Sequence, residues 1–512
     1  LSPQKLPDLV NMSSTPRQAF FGYWQKVTLI LLCVTMACFY WADTEIIALE
    51  PWSELQRIGL GFLAPDFLAT EYLLEAVWQT VSFALLGVAA GLLFGAPVAL
   101  FYNKPVVAAA CAFIRSIHEL FWALLFLQVF GLSPLTGVLA IALPYGATFA
   151  RVFSDILQQA PIYTLQNIPA NTDKVSRYIY GRFAHVMNEI KAYVRYRFEC
   201  ALRSSAILGF VGMPTLGFYL ESAFRQGHYH QGAALLILFI IMIGSIPFWC
   251  RAKLLPLYFI AALWLLPELT TIDGSLVWRF LSDDILPPMF QSHSMDLLLD
   301  DRWQLFAKWF YNIVTEQALP GMLATVLLAV AALGFSYLLA LLMTTFSFKP
   351  LTGTFIARIN NFILLILRSV PEYIFAYIFM LLLGPSMLPA IIALAIHNGA
   401  LVAYLTGRQS TTTSFSRHFN GKIDGYAYDI LPRIYPNMMA LLFYRFEVIL
   451  RETAILGMLG VATLGFYIDS NFSEIRFNGA LVLIGATALL NILIDIASRR
   501  LLVNASLSHK PC

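Results

Sequence analysis

Two stretches of this chain recur elsewhere in it almost letter for letter. Residues 196–219 read YRFECALRSSAILGFVGMPTLGFY, and residues 444–467 read YRFEVILRETAILGMLGVATLGFY. Position 445 stands for position 197, an offset of 248. Earlier in each half, Arg115-Ser116-Ile117-His118-Glu119 matches Arg368-Ser369-Val370-Pro371-Glu372, 368 against 115, an offset of 253. The order of motifs is the same in both halves, and the period is far longer than the roughly 20–50 residues of a solenoid unit. This is a duplicated domain. Each half should fold into a similar bundle, and the two should pack about a pseudo-twofold axis.

Composition then fixes the solvent. The 512 residues are 59% hydrophobic and 12% charged, against roughly 25% charged in soluble domains. Such a chain cannot hide its apolar residues in a soluble core and needs a lipid bilayer. The net charge of +3 is too small to suggest nucleic acid as a partner. The six cysteines form no C-x-x-C pair, which reads as small buried residues rather than metal ligands or disulfides. The first apolar run, Val27–Tyr40, lacks a small-residue cleavage site and reads as a retained anchor.

A spanning helix needs about 20 mostly apolar residues. Spans are predicted near 27–47, 73–101, 106–130, 133–151, 193–212 and 233–250, and again near 253–270, 318–346, 355–383, 387–405, 440–460 and 478–498. That makes about twelve, six per half, so the two halves run parallel. The expected organisation is a cytoplasmic segment 1–26, a first domain 27–252, a second domain 253–503 with an outer insertion 271–316, and a cytoplasmic tail 504–512. With the N-terminus inside, the inner segments hold 18 Lys and Arg and the outer ones 6, in agreement with the positive-inside rule. The outer insertion is acidic and carries Trp278, Trp303 and Trp309. Part of it is expected to lie along the interface as an amphipathic helix, with residues 50–70 as its counterpart. The longest inner loops, 152–192 and 406–439, are expected to dock a cytoplasmic partner.

Eight of the charged residues within predicted spans fall into four pairs. Arg115 and Glu119, Arg368 and Glu372, Glu199 and Arg203, and Glu447 and Arg451 are each spaced i, i+4, which places each pair on one helix face. A charge there costs roughly 2.5–3.5 kcal/mol on insertion scales and needs a partner or water. They fit structural ion pairs that clamp the third span to the fifth, and they fit an aqueous path whose arginines favour an anion. Glycines follow each fifth-span pair: Gly209, Gly212 and Gly217, then Gly457, Gly460 and Gly465. Tight packing and a bent segment at a constriction both fit them. His397 reads as a packed, hydrogen-bonded residue. The chain has no G-x-x-x-x-G-K-S/T phosphate loop and no H-E-x-x-H or G-x-S-x-G motif, so it is not expected to be an enzyme or to hydrolyse ATP itself. An ion-coupled secondary transporter and a non-transporting membrane scaffold are open alternatives.

The order Arg-Ser-x-x-Glu, a polar inner loop, then Tyr-Arg-Phe-Glu-x-x-x-Arg-x-x-x-Ile-Leu-Gly-x-x-Gly-x-x-x-Leu-Gly-Phe resembles the membrane permeases of phosphonate-type ABC importers. So do Phe121-Trp122-Ala123-Leu124, Gly131-Leu132-Ser133-Pro134 and Leu394-Ala395-Ile396-His397. The resemblance covers about 71–250 and 317–503. It implies two tandem six-helix bundles of the type I importer permease (MetI-like) fold, here fused in one chain, in a bacterial inner membrane. It also implies import of a phosphonate or related phosphorus oxyanion, two copies of an ABC ATPase that hold ATP and Mg, and a periplasmic substrate-binding protein, with no cofactor or metal bound by this chain. The ATPase-coupling positions it points to are Asn171, Tyr180, Gly181, Arg182 and Phe183, then Gly421, Lys422, Leu431, Pro432 and Arg433. The family's Leu-Pro ending stands at Leu431-Pro432, while Phe419 and Asn171 stand where its glycine is expected, so the two contacts should be unequal. His118 departs from Arg-Ser-x-Pro-Glu, which Pro371 keeps.

Overall fold

A computed structural model describes residues 22–47, 50–159, 172–173, 176, 183–251, 253–266, 273–295, 298–410 and 421–508. These residues form helices and connections without a strand. Among the described residues, eighteen helices have ten residues or more, nine in each half, in matching order. The first nine are α1 (Tyr23–Trp41), α2 (Pro51–Leu63), α3 (Leu73–Ala99), α4 (Pro105–Ser116), α5 (Glu119–Phe130), α6 (Pro134–Gln159), α7 (Ala184–Ile207), α8 (Leu216–Arg225) and α9 (Tyr229–Gly244). Their counterparts are α10 (Leu255–Trp264), α11 (Leu299–Asn312), α12 (Leu319–Ser347), α13 (Lys349–Ser369), α14 (Glu372–Leu383), α15 (Met387–Ser410), α16 (Leu431–Met458), α17 (Leu464–Ser473) and α18 (Phe477–Ser508).

Among the described residues, seven helices are long and apolar enough to cross a bilayer, and up to nine if each bent pair counts as one span. The chain is a multi-pass membrane protein. Helices α9, α10 and α14 are apolar but shorter. Two predicted spans are broken. The 106–130 span bends by 90° between α4 and α5, where Ile117 and His118 are extended and the His118 ring caps the new helix by accepting from the Leu120 N–H at 3.1 Å. The 355–383 span breaks at Val370-Pro371, where proline cannot donate to a continuing helix. The Arg-Ser-x-x-Glu motif is therefore a corner, and the i, i+4 reading of Arg115 with Glu119 and of Arg368 with Glu372 on one helix face is corrected.

The core of each half is a close helix pair, α3 with α6 and α12 with α15. Gly87, Gly91 and Gly95 recur every four residues on α3 and so share one face. Gly146 on α6 meets that face, and a Cβ at Gly95 would run into the Gly146 carbonyl. Small residues let membrane helices pack backbone to backbone, where no hydrophobic effect drives them together.

The opening helix of each half lies on the other half. Helix α1 packs against α12, with the Phe39 ring edge-on to Phe335 at 5.2 Å and the Thr28 hydroxyl 2.5 Å from that of Tyr435. Helix α10 packs against α3. The extended segment after α1 continues the exchange: the Ile47 N–H donates to the Leu383 carbonyl and the Met387 N–H to the Asp43 carbonyl, each at 2.9 Å.

Around α2 and α11 the halves differ. Helix α2 packs on α9. Helix α11, its counterpart, runs through a π-helical turn at Ile313–Ala318 straight into α12, so that Leu299–Ser347 is one 49-residue helical run. At 1.5 Å per residue it is about 74 Å long, well over twice the roughly 30 Å hydrocarbon core. The expected amphipathic segment is thus a continuation of a spanning helix rather than a separate one.

A charged cavity between the two halves

Each corner faces the fifth-span helix of the opposite half. Arg115, at the end of α4, places Nε 3.5 Å from Glu447 Oε1 on α16. Arg368, at the end of α13, places Nη1 3.6 Å from Glu199 Oε1 on α7. Arg451 donates to the Arg115 carbonyl at 3.1 Å, and Arg203 to the Arg368 carbonyl at 3.5 Å. These four contacts obey the pseudo-twofold. Ending a helix at the corner leaves its last carbonyls without intrahelical partners, and the guanidinium of the other half takes one of them. The clamp between third and fifth spans is present, and it crosses from half to half. Helix α18 adds to it: Asn491 donates to the Ser116 carbonyl at 2.7 Å, and Asp495 lies 3.3 Å from Arg115.

The two corner glutamates have different surroundings. Glu119 accepts from the Ser204 hydroxyl at 2.6 Å. At offset 248 the counterpart of Ser204 is Glu452, so Glu372 faces a second carboxylate. Glu372, His397 and Glu452 bring donor atoms within 4.8 Å of one another, all buried. As a metal site they fit poorly. The Arg203 guanidinium lies 3.3 Å from His397 Nε2, and Arg445 lies 3.1 Å from Glu452, so two fixed cations occupy the faces an ion would take. His397 Nδ1 lies 2.9 Å from the Val370 carbonyl. The ring therefore carries its proton on Nδ1 and accepts from Arg203 on Nε2.

Beside this network is a cavity of about 240 Å³. Arg115, Glu119, Arg203, Glu372, Glu447 and Arg451 line it, while Arg368 and Glu199 do not. Arg151, Arg197, Arg445, Tyr145 and Ser204 also line it, and sequence reasoning did not select them. Arg197 and Arg445 stand in the repeated Tyr-Arg-Phe-Glu string, so the duplication itself could have flagged them. Ser204 and Glu452 differ between halves and give no such signal. Asp495 is a lone acid in an apolar run.

The glycines shape the helix that follows each pair. Helix α7 and its extension to Val211 meet α8 at a 54° bend, and Gly212 and Gly460 sit at φ +91° and +98°, a region open to glycine without strain. A Cβ at Gly209 would run into Phe218 and Gly217 backbone, and one at Gly217 into the Ala206 carbonyl; Gly457 and Gly465 repeat this against Phe466 and Ala454. Four of these glycines permit close packing, and two make the turn.

Of the coupling positions, Asn171, Tyr180, Gly181 and Arg182 lie outside the described residues. Phe183 is half-buried just before α7. In the second half Gly421 and Lys422 open a short helix that leads through a π-turn to Leu431, Pro432 and Arg433 at the start of α16. Tyr426, Ile430 and Ile434 hold this element on Phe348, and the Tyr426 hydroxyl lies 3.1 Å from Thr345. Ile423 and Tyr428 are left 72% and 78% exposed.

No family model matches the chain, and no solved structure matches it. Among curated proteins, the chain is 30% identical over 94 residues to a putative cryptic phosphonate transport system permease protein of Escherichia coli, a match that takes in 18% of this chain and 75% of that protein. The chain belongs to the phosphonate-type ABC importer permeases. Over a longer reach the permease is 24% identical across 465 residues to the phosphate-import permease protein PhnE of Mycolicibacterium smegmatis, covering 84% of this chain and 82% of that one. It is 22% identical across 238 residues to the phosphite transport system permease protein PtxC of Stutzerimonas stutzeri, covering 43% and 86%. A stretch the size of one half here thus corresponds to most of PtxC, as a fused duplicated permease requires.

Proposed function

We propose that this permease moves a phosphonate or related phosphorus oxyanion into the cytoplasm through the interface of its two halves. The observation that carries this reading is the cavity there, lined by six arginines. Guanidinium forks match the paired oxygens of a phosphoryl group. In this reading Arg115, Arg203, Arg368 and Arg451 set the pathway potential, Glu119, Glu199, Glu372 and Glu447 hold them in place, and the glycine bends at 209–217 and 457–465 form the constriction. The chain carries twelve spans in a MetI-like arrangement, divided near 252/253, in a bacterial inner membrane with both termini cytoplasmic. Two ABC ATPase subunits, which hold the ATP and Mg, dock on the inner loops, and a periplasmic binding protein delivers the anion. The exposed Ile423 and Tyr428 beside Gly421 and Lys422 suit such a docked partner.

Uptake of phosphonate, phosphite and phosphate into proteoliposomes, with the ATPase and binding protein present, tests this. ATP-driven uptake is expected, and Arg203→Ala or Arg451→Ala should abolish it. Normal uptake by a stable Arg203→Ala protein would remove the arginines from the pathway. Uptake that ignores ATP and follows the membrane potential would replace the importer with an ion-coupled carrier.

A further inference from the structure

The cavity does not respect the pseudo-twofold. Arg115 and Glu447 line it, while their mates Arg368 and Glu199 do not. The reason is visible on α6 and α15. At offset 253 the counterpart of Arg151 is Tyr404, and the Arg368 guanidinium lies over the Tyr404 ring at 4.3 Å. An aromatic side chain and a stacked cation stand in the second half where the first half lines its space with Arg151.

The paired arginines of the Tyr-Arg-Phe-Glu string differ in the same sense. Arg445 donates from Nε to Asn398 Oδ1 at 2.7 Å and from Nη2 to Glu452 at 3.1 Å. Around its mate Arg197, the first half carries Tyr145 at the position of that amide and Ser204 at the position of that carboxylate. The Arg197 guanidinium rests against the rings of Tyr145 and Tyr193 at 4.8 and 5.9 Å, its Nε is buried without a hydrogen-bond partner, and no carboxylate among the described residues pairs with it. Charge follows. The cavity residues of the first half are four arginines with Glu119 and Asp155, and those of the second are two arginines with three glutamates.

We propose that the cavity holds a single phosphorus-oxyanion subsite on its first-half wall, with Arg197 as a binding residue and Arg445 as a structural one. The inference rests on the importer reading and refines it: the permease has one anion site, off its axis, rather than two equivalent ones. Aromatic faces orient the Arg197 fork without neutralising it, so its donors are ready for an anion and lose little freedom on binding. In the second half, Glu452 already fills that role.

The test is ATP-driven uptake of methylphosphonate, phosphite and phosphate by the reconstituted complex, with melting temperature as the control for folding. Arg197→Ala should reduce uptake at least tenfold, and Arg197→Lys, which keeps the charge and loses the fork, should fall between it and the parent. The double variant Tyr145→Asn, Ser204→Glu rebuilds the second-half holder around Arg197 and should suppress uptake as strongly as Arg197→Ala. Arg445→Ala should lower the melting temperature. Parent-level uptake in a folded Arg197→Ala protein would overturn the subsite and leave the importer standing. If that variant does not fold, parent-level uptake by Arg197→Lys overturns it instead. A parent complex that hydrolyses ATP and moves none of the three anions would overturn the cargo reading and the subsite together.

Discussion

The two cross-half ion pairs are matched in sequence and unequal in burial, and that inequality has a measurable consequence. The side chains of Arg115 and Glu447 are 11% and 10% exposed, and those of Arg368 and Glu199 are 23% and 30% exposed. Glu447→Gln keeps the shape of the side chain and leaves a buried guanidinium without its partner. Breaking a buried pair in this way costs about 3–5 kcal/mol. Arg115 retains Asp495 at 3.3 Å, which lowers the expectation to about 2–3 kcal/mol. Glu199→Gln acts on a pair that water reaches, where the contribution is about 0–1 kcal/mol, and Arg368 keeps its stack on Tyr404. At about 2 °C per kcal/mol for a half of this size, the first variant should melt roughly 5 °C below the parent and the second within about 2 °C of it. The assay is thermal unfolding of the purified permease in lipid nanodiscs, at low salt and again near 1 M, where the screening length falls to about 3 Å. Salt should erase the Glu199→Gln shift and spare that of Glu447→Gln. Equal shifts for the two variants, or a Glu447→Gln shift that salt removes, would refute the argument that burial sets the strength of these pairs.

Three further outcomes follow from the geometry. Gly217→Ala drives a methyl into the Ala206 carbonyl and should cost at least about 2 kcal/mol, read as loss of the monodisperse peak in size-exclusion chromatography. Gly485→Ala meets nothing within 4 Å and should be neutral or gain up to about 1 kcal/mol of helix propensity in the same measurement. Beside α2, the Tyr229 hydroxyl donates to Glu54 at 2.7 Å and Arg57 sits 2.7 Å away, which holds the Glu54 carboxyl below its usual range, the Tyr229 bond being the larger cause. A depressed carboxyl stabilises the fold above its unfolded value of about 4.3 and loses that contribution as pH falls through the folded value. The protection of the α2 amides, taken relative to their intrinsic exchange rates, should therefore fall below about pH 4 in the parent and show no such step in Glu54→Gln; identical profiles would refute it.

Much of this architecture was legible because duplication is a statement about symmetry. Two copies of one string predict two copies of one bundle, and the nine-to-nine match of helices answers that. The corner was harder. Ile117-His118 carries neither proline nor glycine, and only its mate Val370-Pro371 marks a break; Arg115 and Glu119 look like one helix face because apolar residues fill the span on both sides. Cross-half pairing was illegible in principle, since i, i+4 spacing describes neighbours on one helix and says nothing of which helix faces another. The asymmetry of the cavity lies in residues the repeat does not keep, Tyr145 against Asn398, Ser204 against Glu452 and Arg151 against Tyr404. A reading anchored on the kept residues passes over those.

The exchange of opening helices also sets an order of events at the ribosome. Helix α1 ends at Trp41, and α12, the surface it packs on, begins at Leu319. Roughly 280 residues must be synthesised between them, about 15–60 s at 5–20 residues per second. Helix α10 waits for nothing, because α3 is already in the membrane when it emerges. Helix α1 has to stand alone in lipid for that interval, and its sequence suits such a wait, since Leu29, Ile30, Val34 and Met36 remain exposed even in the finished fold. Of the helices described, α1 is among the last to find its place.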